Sequence, residues 1–104
     1  MQVDVAASRL AELGHSTRLE IYRFLVRAGS VGAPVSDIKD ALDVPGSTLS
    51  HHISKLTNLD LVTQVREGRV LHCIANYELL DDVIFELKNQ CCVDEECEIE
   101  ENKV

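Results

Sequence analysis

Three of the four cysteines in this 104-residue chain lie within seven residues near its C-terminus. Cys91 and Cys92 are adjacent, and Cys97 follows after four intervening residues. Thiolates are soft donors that favour soft or thiophilic ions. Three sulfurs with no histidine nearby are too few for a closed tetrahedral zinc site, which takes four nitrogen or sulfur ligands. The spacing therefore predicts a three-thiol site for a thiophilic ion.

Three clustered thiols favour arsenite as the bound ion, but other soft ions and thiol oxidation remain possible signals. Trivalent arsenic prefers three sulfurs in a pyramid, with a lone pair in the fourth direction, so arsenite is the first expectation. Antimonite, cadmium, lead or a thiol-oxidation response among the same cysteines remain alternatives. The surrounding acidic residues raise thiol pKa values, which opposes a reactive cysteine of low pKa. Cys73 lies beside apolar residues in a predicted strand, and we expect it in the core.

The geometry of the tail must allow the three sulfurs to meet. Adjacent residues on an ideal helix diverge by about 100 degrees. Leu80, Ile84, Leu87 and Cys91 form one continuous apolar stripe, which predicts that the last helix extends to Cys91. Either this helix frays near Cys91, or the tail folds back to bring Cys97 in.

Length and composition predict a globular chain of one folded domain, residues 1–90, followed by an acidic cysteine-bearing tail, residues 91–104. Hydrophobic residues make up 45% of the chain, which excludes a disordered protein. No run of 18 apolar residues is present, so no membrane span is expected. The first 13 residues lack a basic stretch before an apolar core, and we expect a cytoplasmic protein with reduced thiols.

The net charge of −8 is unevenly distributed along the chain. Asp94, Glu95, Glu96, Glu98, Glu100 and Glu101 crowd the tail. Between positions 15 and 77, seven lysines and arginines stand against six acids. An acidic protein can therefore still present a locally cationic face to phosphate, although so few cations predict a modest salt dependence.

Hydrophobic periodicity and turn residues predict a mainly α fold with a β-hairpin wing, in the order α-α-α-α-β-β-α. The predicted helices cover residues 3–13, 16–27, a short segment capped by Ser36, 47–59, and a segment that begins near Asn76. The predicted strands cover residues 61–66 and 70–75, joined by a Glu67-Gly68 turn. Two short helices joined by a tight turn and followed by a hairpin describe a winged helix-turn-helix.

The fourth helix carries a polar face without any acidic residue. Small hydroxyl side chains suit close approach to phosphates and base edges in a major groove. Two arginines flank the hairpin tip, where they can reach a neighbouring phosphate or the minor groove. The candidate DNA-binding residues are Ser47, Thr48, Ser50, His51, His52, Lys55, Arg66 and Arg69. His15 and His72 are instead predicted to be a helix-start residue and a strand residue.

Three segments carry a resemblance to a known family: HSTRL at 15–19, STLSHHISKL at 47–56 and REGRV at 66–70. Together they resemble the ArsR/SmtB family of metal-sensing repressors, over about residues 5–90. The resemblance implies a homodimer built through the first and last helices. It also implies that the metal-free protein binds double-stranded operator DNA and releases it when metal binds. By family position, Ser47, Thr48, Ser50, His51 and His52 would face DNA.

The ligand sites of this family vary, so the ion must be inferred from this chain. Many members bear a cysteine pair on the third helix, and zinc-sensing members use a histidine on the last helix. Residues 34–38 contain no cysteine and residues 77–90 contain no histidine. The position of the three tail cysteines resembles that in arsenite repressors whose site follows the last helix. The implied function is a repressor that arsenite releases from its operator, derepressing arsenic-resistance genes.

A rival of a different class is a metal-buffering or protein-interaction module whose winged helix no longer reads DNA. An enzyme is not expected, because no glycine-rich phosphate loop appears and no nucleophile has a supporting base at motif spacing.

Overall fold

The computed structural model of the chain describes residues 2–95. Within that range, five α-helices accompany a three-stranded antiparallel sheet of order β1-β3-β2. The helices are α1 Val3–Leu13, α2 Ser16–Ala28, α3 Val35–Leu42, α4 Gly46–Asn58 and α5 Tyr77–Lys88, and the strands are β1 Ala33–Pro34, β2 Val62–Glu67 and β3 Val70–Ala75. The predicted order of helices and hairpin is confirmed, and so is the winged helix-turn-helix class.

The core lies where α2, α3 and α4 pack against one face of the sheet. Its largest fully buried side chains include Ile21, Tyr22 and Leu25 of α2, at spacings that place them on one helical face. The Tyr22 hydroxyl donates to the backbone carbonyl of Asn76 at 3.0 Å, so this buried polar group is satisfied. Cys73 is fully buried in β3, which confirms its predicted place in the core.

A short strand, β1, was not predicted from the sequence. Ala33 pairs with Cys73 and Pro34 with His72, at the edge of the sheet. Pro34 lacks an N–H and is tolerated because β1 is an edge strand. Gly32 precedes it at φ 73°, and a Cβ there would lie 2.4 Å from the carbonyl oxygen of Cys73. Only glycine therefore allows the chain to approach β3 this closely.

The hairpin turn lies one residue later than predicted. Glu67 pairs with Val70, so the two-residue loop is Gly68-Arg69 rather than Glu67-Gly68. Of these two residues only Gly68 has a positive φ, 64°, which is the pattern of a type II′ turn with glycine first. This turn matches the twist of the strands and places Arg69 at the tip of the wing.

The N-cap differs from the prediction at one of three helix starts. His15 is the N-cap of α2 and accepts the Thr17 N–H through Nδ1 at 3.3 Å, so the predicted role at a helix start is confirmed. The predicted Ser36 cap is wrong, because α3 begins at Val35 after the N-cap Pro34. Asn76 caps α5 as predicted, accepting the Leu79 N–H at 3.3 Å.

The last helix is shorter than its apolar stripe predicted. It ends at Lys88, and Cys91 is an exposed residue in the turns that follow. Gln90 and Cys92 both have positive φ values, 66° and 63°, which are incompatible with a continuing right-handed helix. The predicted extension of the helix to Cys91 is therefore wrong, and its end three residues earlier agrees with the alternative that the helix frays near Cys91.

Candidate DNA interface and thiol site

The helix-turn-helix is formed by α3, a three-residue turn and α4. Asp43 ends α3 in the left-handed conformation, at φ 55° and ψ 47°, which aspartate tolerates better than most residues. Pro45 follows as the N-cap of α4, and its carbonyl accepts the Leu49 N–H at 2.9 Å. Leu49, Ile53 and Leu56 are buried and fix the helix on the core.

The N-terminal half of α4 presents the polar face that the sequence predicted. Ser47, Thr48, Ser50 and His51 are all exposed, and Lys55 is half-buried. None of the residues of α4 is acidic. The helix therefore offers hydroxyl and imidazole groups at its positive end, a combination that suits contact with phosphate and base edges.

His52 lies elsewhere than the other candidate residues. Its side chain is buried, with 6% exposure, and its Nδ1 accepts a hydrogen bond from Nε of Arg18 at 3.1 Å. Burial, followed by the positive fields of His15, Arg18 and His51, lowers its pKa below the ordinary value. The helical spacing could have predicted this burial, because position 52 lies three residues after Leu49 and four before Leu56 and so shares their buried face.

The wing places two exposed arginines, Arg66 and Arg69, beside α4. A groove of about 480 Å³ separates the two elements and is lined by Ser50 and Ser54 of α4 and by Gln64 and Arg69 of the wing. Gln64 also donates to the Cys73 sulfur at 3.6 Å. Sequence reasoning missed Gln64, because an exposed glutamine in a strand has no distinguishing spacing. The groove continues the polar face of α4 towards the wing tip.

The cysteine pair is exposed immediately after α5. The Cys91 and Cys92 sulfurs lie 3.5 Å apart, within a turn closed by the bond from the Cys91 N–H to the Lys88 carbonyl at 2.9 Å. The hydrogen bond with Cys91 raises the pKa of the Cys92 thiol, and the negative charges of Cys91 and Glu95 add to this. Cys97, the third predicted ligand, lies outside the described residues.

The two sulfurs of the cysteine pair lie close enough for one ion to contact both. Two sulfurs this close can bind one ion together, although they diverge on an ideal helix, because the positive φ of Cys92 turns the backbone. Within residues 2–95, no group of three or more histidine, cysteine or carboxylate side chains is arranged to hold a metal. Cys73 is not available to bind an ion, because its side chain is buried in the core and burial raises the pKa of its thiol.

The first and last helices leave large apolar side chains in solvent. On α1, Val3 is 68% exposed and Leu10 is also exposed. On α5, Ile84, Phe85 and Leu87 are 46%, 67% and 63% exposed. The two helices pack on each other, so the exposed apolar side chains lie on neighbouring helices. Large apolar side chains left in water on adjacent helices are a candidate interaction surface. Among the described residues, no helix is long and apolar enough to cross a membrane.

A helix-turn-helix whose second helix is rich in hydroxyl side chains, with an arginine-bearing hairpin beside it, defines a winged-helix DNA-binding fold. The sequence profile of a family described as "Helix-turn-helix domain" matches residues 13–65, just over half of the chain. The chain belongs to this helix-turn-helix family. No curated protein sequence matches the chain significantly.

Solved structures give the same fold. An ArsR-like transcriptional regulator from Rhodococcus sp. RHA1 is 27% identical, with a TM-score of 0.72 over 82% of this chain and 77% of its own. A crystal structure of an ArsR family transcriptional regulator is 21% identical, with a TM-score of 0.77 over 94% and 98%. A homodimeric winged helix-turn-helix DNA-binding domain from Mycobacterium bovis is 20% identical, with a TM-score of 0.68 over 93% and 90%. The chain therefore has the DNA-binding fold of ArsR-family transcriptional regulators.

Proposed function

We propose that this protein is a homodimeric transcriptional repressor that binds operator DNA and releases it when arsenite binds Cys91, Cys92 and Cys97. The observation that carries the proposal is the pair of exposed sulfurs 3.5 Å apart at the end of α5, on a chain whose fold is that of DNA-binding regulators. The end of α5 would thus join an ion site to a DNA-binding scaffold.

DNA binding is supported by the geometry of α4 and the wing. Ser47, Thr48, Ser50 and His51 would enter the major groove, because they are exposed on the half of α4 that points away from the core. Arg66 and Arg69 would contact phosphate or the minor groove, with Lys55 as a further phosphate contact. These few cations predict a shallow salt dependence of affinity. The net charge of −8 opposes non-specific binding and leaves recognition to these contacts.

Homodimerisation is supported by the exposed apolar side chains of α1 and α5. A symmetric dimer through these helices would bury Leu10, Ile84 and Leu87, which a single chain leaves in water. The relative from Mycobacterium bovis is a homodimer of the same fold. Two recognition helices would then meet successive major grooves, roughly 34 Å apart.

Arsenite would act at the junction of this interface with the tail. Cys91 follows α5 by three residues, so an ion that ties the thiols together constrains the chain just beyond the dimer helix. The constraint would favour a dimer arrangement that fits the two grooves worse. Allosteric coupling of this kind typically amounts to about 1–3 kcal/mol, a loss of affinity of about 5- to 150-fold.

Thiol oxidation and other soft ions are the competing signals at the same residues. The raised pKa of Cys92 keeps it largely a thiol at neutral pH, which slows oxidation and also means that a bound ion must displace the thiol proton. The pKa therefore does not choose between the two signals, and the parallel titration with an oxidant does. Antimonite shares the three-sulfur preference of arsenite and would be the nearest competitor. A module that binds ions without reading DNA would show no sequence preference in a DNA selection.

The test begins with selection of a preferred duplex from a random pool by the reduced protein. Affinity for that duplex is then titrated with and without arsenite, in parallel with antimonite, cadmium, lead and an oxidant. We expect arsenite to weaken binding in the wild type and in the control Cys73→Ala, and to have no effect on Cys91→Ser, Cys92→Ser or Cys97→Ser. Failure to select any duplex, or unchanged affinity with arsenite, would contradict the proposal.

A further inference from the structure

A series of three polar side chains, one buried and two partly buried, links α1 to the recognition helix α4. Arg18, near the start of α2, donates from Nη1 to Oε1 of Glu12 on α1. Its Nε donates to Nδ1 of His52 on α4 at 3.1 Å. The side chains of Arg18 and Glu12 are only 14% and 24% exposed. One guanidinium therefore connects the end of the first helix with the helix that carries the DNA-facing residues.

The hydrogen bonding fixes the chemical state of His52. Arginine has donors only, so the Nδ1 atom of His52 must be an acceptor and its proton must lie on Nε2. A protonated imidazole would place an N–H against the guanidinium and lose this bond. The neutral form is also the form that the surroundings favour, since burial and the charges of His15, Arg18 and His51 lower the pKa of His52. Glu12 supplies the compensating negative charge on the other side of Arg18.

The hydrogen-bonded series of Glu12, Arg18 and His52 reaches α4 next to the residues that face DNA. His52 directly follows His51 and lies two residues after Ser50, both of which are exposed on the DNA-facing side. A second bond from α1 to the C-terminal end of α4 joins Nε of Arg9 to the Leu59 carbonyl at 3.3 Å. The helix α1 is therefore linked to the middle of α4 through Arg18 and to the C-terminal end of α4 directly, so a rotation of α1 would be passed to the recognition helix.

We propose that Arg18 is a positioning residue for operator binding: through Glu12 and His52 it sets the orientation of α4 relative to the helix α1 of the dimer interface. The inference rests on the proposed function, because α1 is assigned to the interface there. Arg18 does not contact DNA, and its effect on affinity comes from placing Ser50 and His51. The relay is the route by which a change at the interface reaches the recognition helix.

Arg18→Gln removes both bonds and leaves a buried acceptor on His52. Loss of one such buried hydrogen bond would misplace the recognition helix. We expect this to lower the affinity for the selected duplex about tenfold. The matched control is Arg23→Gln, which removes one exposed arginine from the same helix. We expect the control to lose less than about threefold, the effect of one distant surface charge.

His52 provides the variants that separate positioning from folding. Asparagine offers an acceptor at the position of Nδ1 but does not titrate, so His52→Asn should keep affinity within about threefold of the wild type. His52→Leu fills the space without an acceptor and should lose about as much as Arg18→Gln. The double variant Arg18→Gln with His52→Leu should lose little more than either single variant, because the two residues act as one unit.

The pH dependence of unfolding gives a readout that requires no DNA. Because the pKa of His52 is lowered in the folded chain, the unfolded chain binds a proton more readily below the ordinary value of 6.5. The free energy of unfolding therefore falls as pH decreases through 6.5 towards the folded pKa. His52→Asn should lose this component, whereas His51→Gln should retain it and serve as the control.

The outcomes distinguish the relay from the proposed function. If the wild type selects no duplex, the proposed function fails, and the pH profile of unfolding still tests the Arg18–His52 contact. If the wild type binds but Arg18→Gln and Arg23→Gln lose affinity equally, Arg18 has no positioning role. Additive losses in the double variant, or a His52→Asn variant as weak as His52→Leu, would also overturn the inference.

Discussion

Truncation of Leu87 is the sharpest test of how the chain assembles. Leu87 is 63% exposed on α5, with no partner in a single chain to account for it. Full burial of a leucine side chain contributes about 1.5–3 kcal/mol, so covering the exposed fraction contributes about 1–2 kcal/mol per chain. A twofold interface uses the residue twice, which gives about 2–4 kcal/mol per dimer. Alanine retains the Cβ, so we take the lower end, an increase of about 30-fold in the dimer dissociation constant.

Sedimentation equilibrium of the reduced protein over a wide concentration range measures this constant. The matched control is Val31→Ala, which truncates a 78% exposed apolar side chain in the short 3₁₀ turn after α2. We expect the control to dimerise like the wild type. A wild type that stays monomeric at micromolar concentration, or a Leu87→Ala constant equal to that of Val31→Ala, would refute the assignment of α5 to the interface.

Three further predictions concern the turn before β1, the wing and the thiols. Gly32→Ala should lower the free energy of unfolding by about 1–3 kcal/mol in chemical denaturation, because φ 73° and the close Cys73 carbonyl leave no room for a Cβ. Arg69→Gln should weaken binding to the selected duplex and reduce the slope of log affinity against log salt by about 1, if it contacts one phosphate. Because the pKa of Cys92 is raised, its alkylation in a Cys91→Ser variant should accelerate as the Cys91 contribution is lost; equal rates in the wild type and the variant would contradict that cause.

The fold could be predicted because most of its helices and strands have a regular spacing of apolar residues. Helices α2, α4 and α5 carry apolar residues at helical spacing, and the hairpin has alternation and a glycine turn. The strand β1 could not be predicted, because two residues carry no period and its position depends on the close approach that Gly32 allows. The turn shifted by one residue because Glu67 completes a strand pair with Val70.

For the candidate DNA interface, the sequence predicted which residue types would take part better than it predicted where each of them lies. The exposed face of α4 and the arginines of the wing lie where spacing placed them, since the core residues fix the orientation of the helix. His52 was grouped with its neighbour by type, although its position relative to Leu49 and Leu56 placed it in the interior. Its contact with Arg18, 34 positions away, depends on tertiary packing that no local pattern encodes.

The end of α5 shows the limit of extrapolating a pattern. The apolar stripe of Leu80, Ile84 and Leu87 fits Cys91 by number, yet the helix stops at Lys88. Residues 89–95 after it are all exposed and contribute no buried contact that would extend the helix. The early end is what brings the Cys91 and Cys92 sulfurs to 3.5 Å, so the deviation from the pattern creates the thiol pair.

The central claim is that arsenite binding at the tail thiols and operator binding oppose each other. Equilibrium arsenite binding to the free protein and to the protein saturated with its selected duplex tests this most directly. Thermodynamic linkage predicts that DNA weakens arsenite binding by the same factor, about 5- to 150-fold, by which arsenite weakens DNA binding. Equal arsenite affinities in the two states, with Cys92→Ser as the non-binding control, would contradict the account.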